Sequence, residues 1–214
     1  MKISYGITVC DEAEELNTLL NFLLLHMDDN DEVVVLRDVS KTNYDVHHTL
    51  HKYTLAFREK GISYGIMDAE LSGDFAAFKN NLISMSSGDY LFQIDADEIP
   101  SQFLIENIKP ILKINPGVDC LYIPRVNKVD GLTPQHVTKW GWRVDELERV
   151  NFPDPQMRLF KLGKGIKWKN KVHEVLDGYK SMSMLPYDTE DFCLYHIKDI
   201  QRQEKQNDFY DKIM

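Results

Sequence analysis

An α/β protein built on an open, mostly parallel sheet is what the first hundred residues predict, and three observations carry the prediction. Extended, β-branched segments alternate with segments whose leucines and aromatics recur at helical spacing. The extended segments are apolar almost throughout, as strands covered on both faces must be. Acidic residues gather directly after them, at 10–12, at Asp38 and at 95–98, and in open α/β sheets ligands bind beyond the carboxyl ends of the strands.

Each element follows in order. KISYGITV reads as a strand. DEAEELNTLLNFLLLHM reads as a helix capped by Asp11 with Glu14 at the reciprocal position, its stripe being Leu16, Leu19, Leu20, Leu23 and Met27. EVVVLR is the second strand, and Val46, Leu50, Tyr53 and Phe57 mark the second helix. ISYGIM is a short third strand, Phe75, Phe78, Leu82 and Met85 mark a third helix with Asp74 at its start, and YLFQI is the fourth strand. SQFLIENIKPIL is a helix capped by Ser101 after Pro100. The rhythm then changes: VDCLYIPRV, PQMRLFKL and DFCLYHIK are strand-like, IKWKNKVHEVL is mixed, and IQRQEKQNDFYDKI is a polar terminal helix. Residues 127–155, with glycines, prolines, Trp140 and Trp142, lack clear periodicity and read as a long binding loop.

With 214 residues, 43% hydrophobic and 28% charged, the chain suits one good-sized core. A net charge of −9 without a basic, aromatic-interleaved stripe excludes duplex nucleic acid as the expected partner. Cys10, Cys120 and Cys193 are widely spaced in strand-like contexts and read as buried thiols, which favours a reducing, cytoplasmic setting. LLNFLLL is too short for a transmembrane segment, and the N-terminus is too polar for a signal peptide; a peripheral contact at the inner membrane face stays open, as does oligomeric state.

Asp95 and Asp97, spaced two apart at the end of the fourth strand, can converge on one hard divalent cation, Mg²⁺ or Mn²⁺, whose shell a diphosphate often completes. A solvated turn is the competing reading of an Asp-x-Asp taken alone. The whole run SSGDYLFQIDADEIPS resembles the metal-binding segment of family 2 glycosyltransferases of the GT-A fold. The resemblance extends to ITVCDEAEEL, VVVLRDVSKTNYD and GDFAAFKNNLI, and more loosely to DPQMRLFK, VHEVL and LYHIK, which look like a bacterial lipopolysaccharide-core branch.

It implies a GT-A fold with a donor-binding half over 1–100, an acceptor-binding half over 101–214, a smaller mixed acceptor-side sheet and the terminal helix. It also implies a nucleoside diphosphate sugar as donor, a UDP-sugar favoured, with Mn²⁺ or Mg²⁺, a saccharide or similar hydroxyl acceptor, and inversion of the anomeric centre. Glu12 would border the nucleotide and Asp38 would accept from the base, unless Asp38 serves only an Asx-turn. Val39 before Ser40 departs from the usual Asp-x-Gly-Ser-x-Asp wording, which leaves the base open. Lys79 and Asn80 would steady the diphosphate, unless Lys79 faces solvent. Asp95 would contact the ribose or the metal, and Asp97 and His196 would ligate the metal, with a satisfied core or loop histidine as the rival reading of His196. Glu174 would be the general base, with Asp154 an alternative; a salt bridge to Arg158 or Lys171 is the other reading of Glu174. Arg158 would neutralise the leaving diphosphate or orient the acceptor. Trp140 and Trp142 could stack on a sugar or plug the loop.

Two other functions compete. A metal-dependent nucleotidyltransferase would advertise a Gly-rich loop after the first strand, where VCDEAEEL has no glycine. A carbohydrate-binding or structural protein could keep this fold without turnover.

Overall fold

The computed structural model describes residues 1–41 and 43–213, with side chains up to Asn207. Four strands, β1 (Ile3–Val9), β2 (Glu32–Asp38), β3 (Ser63–Ala69) and β4 (Tyr90–Asp95), alternate with helices α1 (Ala13–His26), α2 (Tyr44–Glu59) and α3 (Phe75–Met85). They pair in parallel in the order β3-β2-β1-β4. A two-residue strand β5 (Ile99–Pro100) precedes α4 (Gln102–Ile114). After it come β6 (Cys120–Ile123), β7 (Arg125–Asp130), α5 (Pro134–Trp140), β8 (Gln156–Lys161), β9 (Lys167–Lys169), β10 (Val175–Asp177), β11 (Met182–Met184), β12 (Leu194–Asp199) and α6 (Ile200–Ile213).

The principal sheet does not stop at residue 100. β8 joins β4 antiparallel, β6 joins β8, and β11 closes that edge, so the sheet reads β11-β6-β8-β4-β1-β2-β3 and draws strands from both halves of the chain. β9 and β10 form an antiparallel hairpin. β5-β12-β7 is a small mixed sheet, parallel between β12 and β7 and antiparallel between β12 and β5. VDCLYIPRV is two strands rather than one. Pro124 has no N–H to give a ladder, and there the chain leaves the principal sheet as β6 and enters the small one as β7. The long loop of 127–155 is likewise more ordered than its composition suggests: it begins in β7, carries α5 and returns through bridges from Val150 to Asn127 and Val144.

Alternation along the strands divides the core. Tyr5, Ile7, Phe92 and Ile94 face α1, α2 and α4, whose Leu16, Leu19, Leu20, Leu23, Val46, Phe57, Leu104 and Ile108 complete one cluster. Val34, Leu36 and Leu91 face α3 and the β9–β10 hairpin, where Phe78, Leu82, Trp168 and Leu176 complete the other. Each fully buried side chain contributes about 1.5–3 kcal/mol of transfer free energy. α1 begins differently from its sequence signature: Asp11 makes no cap and Glu12 occupies the N-cap position without capping, because its carboxylate turns back to accept from the Cys10 and Asp11 N–H groups. Asp74 and Ser101 cap α3 and α4 as expected.

Opposite the acidic rim, Glu32 ties the strand starts together. Its carboxylate accepts from Lys2 Nζ, Ser4 Oγ, and the N–H and Oγ of Ser87, each at 2.6 Å. Gly88 follows because a Cβ there would come within 2.8 Å of the Lys2 carbonyl and 2.9 Å of the Ser4 nitrogen. Burial alone would raise the pKa of Glu32, but the Lys2, Ser4 and Ser87 hydrogen bonds outweigh it and hold the carboxyl down to about 2. A depressed carboxylate stabilises above its unfolded pKa, and that stability is lost as pH falls through the folded value. Glu32→Gln should therefore remove about 3 kcal/mol at neutral pH and flatten the loss of stability between about pH 4.5 and 2, as urea denaturation across pH would register.

Candidate active site

The carboxyl ends of β1, β2 and β4 open into a cavity of about 720 Å³ that the β9–β10 hairpin, β7, β12 and α6 wall on the other side. Its lining includes Glu12, Asp38, Lys79, Asp95, Asp97, Arg158, Glu174 and His196, so eight of the nine residues singled out for donor, metal and catalysis meet in one space. Asn80 is the exception. Its amide holds both backbone groups of Trp168, accepting from the N–H at 2.9 Å and donating to the carbonyl at 3.0 Å. That corrects its expected role: Asn80 docks the hairpin on α3, and Lys79 beside it faces the cavity.

The docking has a chemical result. Between β9 and β10 the chain bends, and His173 at φ +54° lets both His173 and Glu174 line the cavity, which adjacent residues on a regular strand could not do. Glu174 accepts from Lys79 Nζ at 2.5 Å, so its ion pair is with Lys79 and not with Arg158 or Lys171. Lys79 is buried rather than solvent-facing, lies 3.9 Å from Asp95 and rests over the Trp168 ring, 5.1 Å from its centroid.

Asp95 is held on both oxygens, by Thr8 Oγ1 at 2.8 Å and by Arg158 Nη2 at 2.5 Å. The same Nη2 reaches Glu98 at 2.7 Å, and Glu98 is wholly buried, taking Arg125 Nη1 at 2.9 Å and the Asp95 N–H at 3.1 Å. Burial would raise the Asp95 pKa, but Arg158, Lys79 and Thr8 hold the carboxyl far below the usual carboxylate range. Arg158 thus differs from its expected role at the leaving group: the guanidinium is buried and its Nη2 is shared by two carboxylates. Asp154 is also committed, accepting from Arg125, Asn127 and Gln156. It has little left to offer as a base.

Asp97 turns toward the small sheet. Its Oδ2 lies 3.2 Å from His196 Nε2, 3.4 Å from Arg202 and 3.6 Å from Lys198. Burial opposes its ionisation, yet His196 and Lys198 keep the carboxyl well below its ordinary value. An octahedral Mg²⁺ or Mn²⁺ holds adjacent ligands at ~2.1 Å each, hence ~3 Å apart, so an oxygen and a nitrogen at this separation fit as two protein ligands. Among the described residues no group of three or more His, Cys, Asp and Glu side chains converges on a metal position. Of the expected set of Asp95, Asp97 and His196, Asp95 is already held by Arg158, Thr8 and Lys79, and only Asp97 and His196 stand close enough together to share a cation.

Glu12 lines the cavity and its pKa is raised, first by burial and then by Asp97 and Asp11, despite the Cys10 N–H. Asp38 is buried and forms the Asx-turn: it accepts from the Ser40 N–H and Oγ and from the Leu71 N–H, with its carboxylate at the cavity wall. Burial and the neighbouring Asp11, Asp38 and Glu12 push the Cys10 thiol up to about 12, which disfavours its thiolate. Trp142 lines the cavity and stands 4.7 Å from Trp140, which stacks on His136.

Sequence reasoning missed Thr8, Arg125, Asn127, Lys198 and Arg202. Thr8 and Arg125 reach the site only through strand pairing, and Arg202 only through the docking of α6, where it pairs with Glu12, Glu15 and Asp97. Lys198 carried a legible signal, two residues beyond His196 on the same strand. Burial lowers its pKa.

The architecture is a GT-A-like glycosyltransferase fold. TarS 1-349 from S. aureus, in its complex with UDP-GlcNAc, superposes with a TM-score of 0.63 at 19% identity, over 92% of this chain and 59% of that one. Mannosyltransferase PcManGT from Pyrobaculum calidifontis, in complex with GDP-Man and Mn²⁺, gives 0.57 at 16% identity, over 90% and 56%. Likeness at this identity establishes the fold alone. No family model matches the chain. In sequence it is 25% identical over 177 residues to the SPbeta prophage-derived glycosyltransferase SunS of Bacillus subtilis strain 168. That match takes in 80% of this chain and 34% of the relative, so the chain spans about a third of the length of the curated relatives it matches. Among the described residues no helix is long and apolar enough to cross a membrane.

Arg158→Met should strand the buried Glu98 and Asp95 charges and cost about 3–5 kcal/mol, read as a lower urea midpoint at neutral pH.

Proposed function

We propose that the protein is a glycosyltransferase that moves a sugar from a nucleoside diphosphate donor, a UDP-sugar by preference, to a hydroxyl acceptor with inversion at the anomeric carbon. The observation that carries the reading is the gathering of Glu12, Asp38, Lys79, Asp97, Glu174 and His196 around one cavity at the carboxyl rim of a GT-A-like sheet. The 25% identity to SunS supports the reaction class, and the UDP-GlcNAc bound to TarS supports the donor class.

In this reading Asp38 accepts from the base and Glu12 borders the nucleotide, both at the β1–β2 end of the cavity. Asp97 and His196 would hold a divalent cation, which would supply positive charge against the negative charge that develops on the diphosphate as the glycosidic bond breaks. Lys79 is the counter-ion of this site. It neutralises Glu174; a diphosphate would compete for the same ammonium and release the carboxylate to take the acceptor proton. The acceptor oxygen then attacks from the face opposite the leaving diphosphate, and one displacement inverts the centre. Trp142 offers a flat apolar face toward the acceptor end. A metal-dependent nucleotidyltransferase and a non-catalytic binding protein remain the rivals, and no contact in the cavity favours either.

A panel of nucleoside diphosphate sugars, assayed with Mn²⁺ and with EDTA, tests the reading. We expect donor turnover that Mn²⁺ stimulates. Asp97→Ala should abolish the stimulation, and Glu174→Gln should lower kcat by about 10²–10⁴ without weakening donor binding, since it removes the carboxylate that competes with the diphosphate for Lys79. If no sugar nucleotide binds the intact protein, the proposal fails; binding without turnover toward any acceptor would favour the non-catalytic reading.

A further inference from the structure

Behind His196 stands a pair of residues that the acidic motif does not contain. Parallel pairing of β12 with β7 sets His196 beside Asn127, and His196 Nδ1 lies 2.8 Å from Asn127 Oδ1. A side-chain amide has a donating end and an accepting end, so what binds one end decides what the other presents. Asn127 Nδ2 is 2.7 Å from Asp154 Oδ2, and an ionised carboxylate only accepts. Asp154 is itself pinned. Arg125 donates to the same oxygen from Nε at 2.9 Å and Nη2 at 2.7 Å, and Gln156 Nε2 donates to the other at 3.1 Å. Arg125 in turn is anchored on the buried Glu98.

The polarity of the chain follows from its fixed end. The Asn127 amide must point its NH₂ at Asp154, its oxygen must face the imidazole, and Nδ1 must carry the hydrogen that bridges them. A neutral ring so held keeps its lone pair on Nε2, the nitrogen 3.2 Å from the Asp97 carboxylate. An imidazolium would donate Nε2–H to Asp97, whose Oδ2 also has Arg202 at 3.4 Å and Lys198 at 3.6 Å; in the neutral ring the Nε2 lone pair faces that carboxylate, and a divalent cation between the two would satisfy both. We propose that Asp154 and Asn127 form a positioning relay that holds His196 as its Nδ1–H tautomer and so presents Nε2, together with Asp97, to a divalent cation. Neither relay residue touches the cation. They act through the ring, as the partners of metal-bound histidines do.

The last step rests on the metal reading given above, whereas the tautomer does not, so the experiment reads them separately. Metal-free protein with ¹⁵N-labelled histidine reports the His196 tautomer by long-range ¹H–¹⁵N correlation, and Mn²⁺ affinity is measured by the electron paramagnetic resonance of free ion. In the intact protein we expect hydrogen on Nδ1 of His196. Asn127→Leu removes the acceptor, and Asp154→Asn frees the Asn127 amide to turn; each should move hydrogen toward Nε2 and weaken Mn²⁺ binding by about 10–100-fold. The exchange N127D/D154N restores an acceptor next to the ring and a donor behind it at unchanged total charge. It should recover the Nδ1–H tautomer and most of the Mn²⁺ affinity, which a merely structural role would not produce. An unchanged tautomer in both single variants, or an exchange that recovers neither property, overturns the relay. Mn²⁺ binding that is equal in every variant overturns its link to the cation. If the tautomer moves as expected but the intact protein binds no Mn²⁺, the metal reading fails and the relay stands as a device for orienting His196 alone.

Discussion

Glu98 is the constraint on which the rest of the site depends. It is wholly buried at the exit from β4, where a lone carboxylate would cost several kcal/mol, and it is tolerable only because two guanidinium groups and a backbone N–H converge on it. Arg158 comes from β8 in the principal sheet and Arg125 from β7 in the small one. One carboxylate therefore joins the two sheets at the point where the turn from Asp95 to Glu98 leaves the parallel core. Asp95 and Asp97 take their directions from that turn.

From this anchor the charges spread outward in alternating sign. Arg158 serves Glu98 and Asp95; Lys79 lies between Asp95 and Glu174; Arg125 serves Glu98 and Asp154. Beyond them Asp97 meets His196, Lys198 and Arg202. Such an arrangement keeps Asp95 and Asp97 ionised where burial would otherwise favour their neutral forms. It also divides the carboxylates by partner. Asp95, Glu98 and Asp154 are held by arginines, whereas Glu174 is balanced by Lys79, and Asp97 by His196, Lys198 and Arg202 at 3.2–3.6 Å.

Much of the first half was legible because its signals are local. Helical spacing of Leu16, Leu19, Leu20 and Leu23, the β-branched run at 33–35 and the caps at Asp74 and Ser101 each depend on a few neighbouring residues. The errors came where two local patterns compete or where a partner is distant. Asp11 looked like a cap because Asp commonly is one, yet α1 has no side-chain cap: Glu12 stands at the N-cap position and its carboxylate turns back to the N–H groups of Cys10 and Asp11. Asn80 looked like a phosphate ligand, and its amide is turned by the backbone of Trp168, 88 residues away along the chain.

By itself the sequence determined the parallel α/β core, the acidic rim at the carboxyl ends of its strands, and the residues of chemical interest, because periodicity and residue type are written within a few positions of each other. Only the tertiary structure decided how those residues are partnered. That Lys79 restrains Glu174, that Arg158 serves the acidic turn, and that Asn127 offers its oxygen to His196 are outcomes of strand pairing and hairpin docking. The physical reason is range: backbone preference is set by neighbours in the chain, whereas the charge and proton of a buried group are set by whatever the fold brings to within about 3 Å of it.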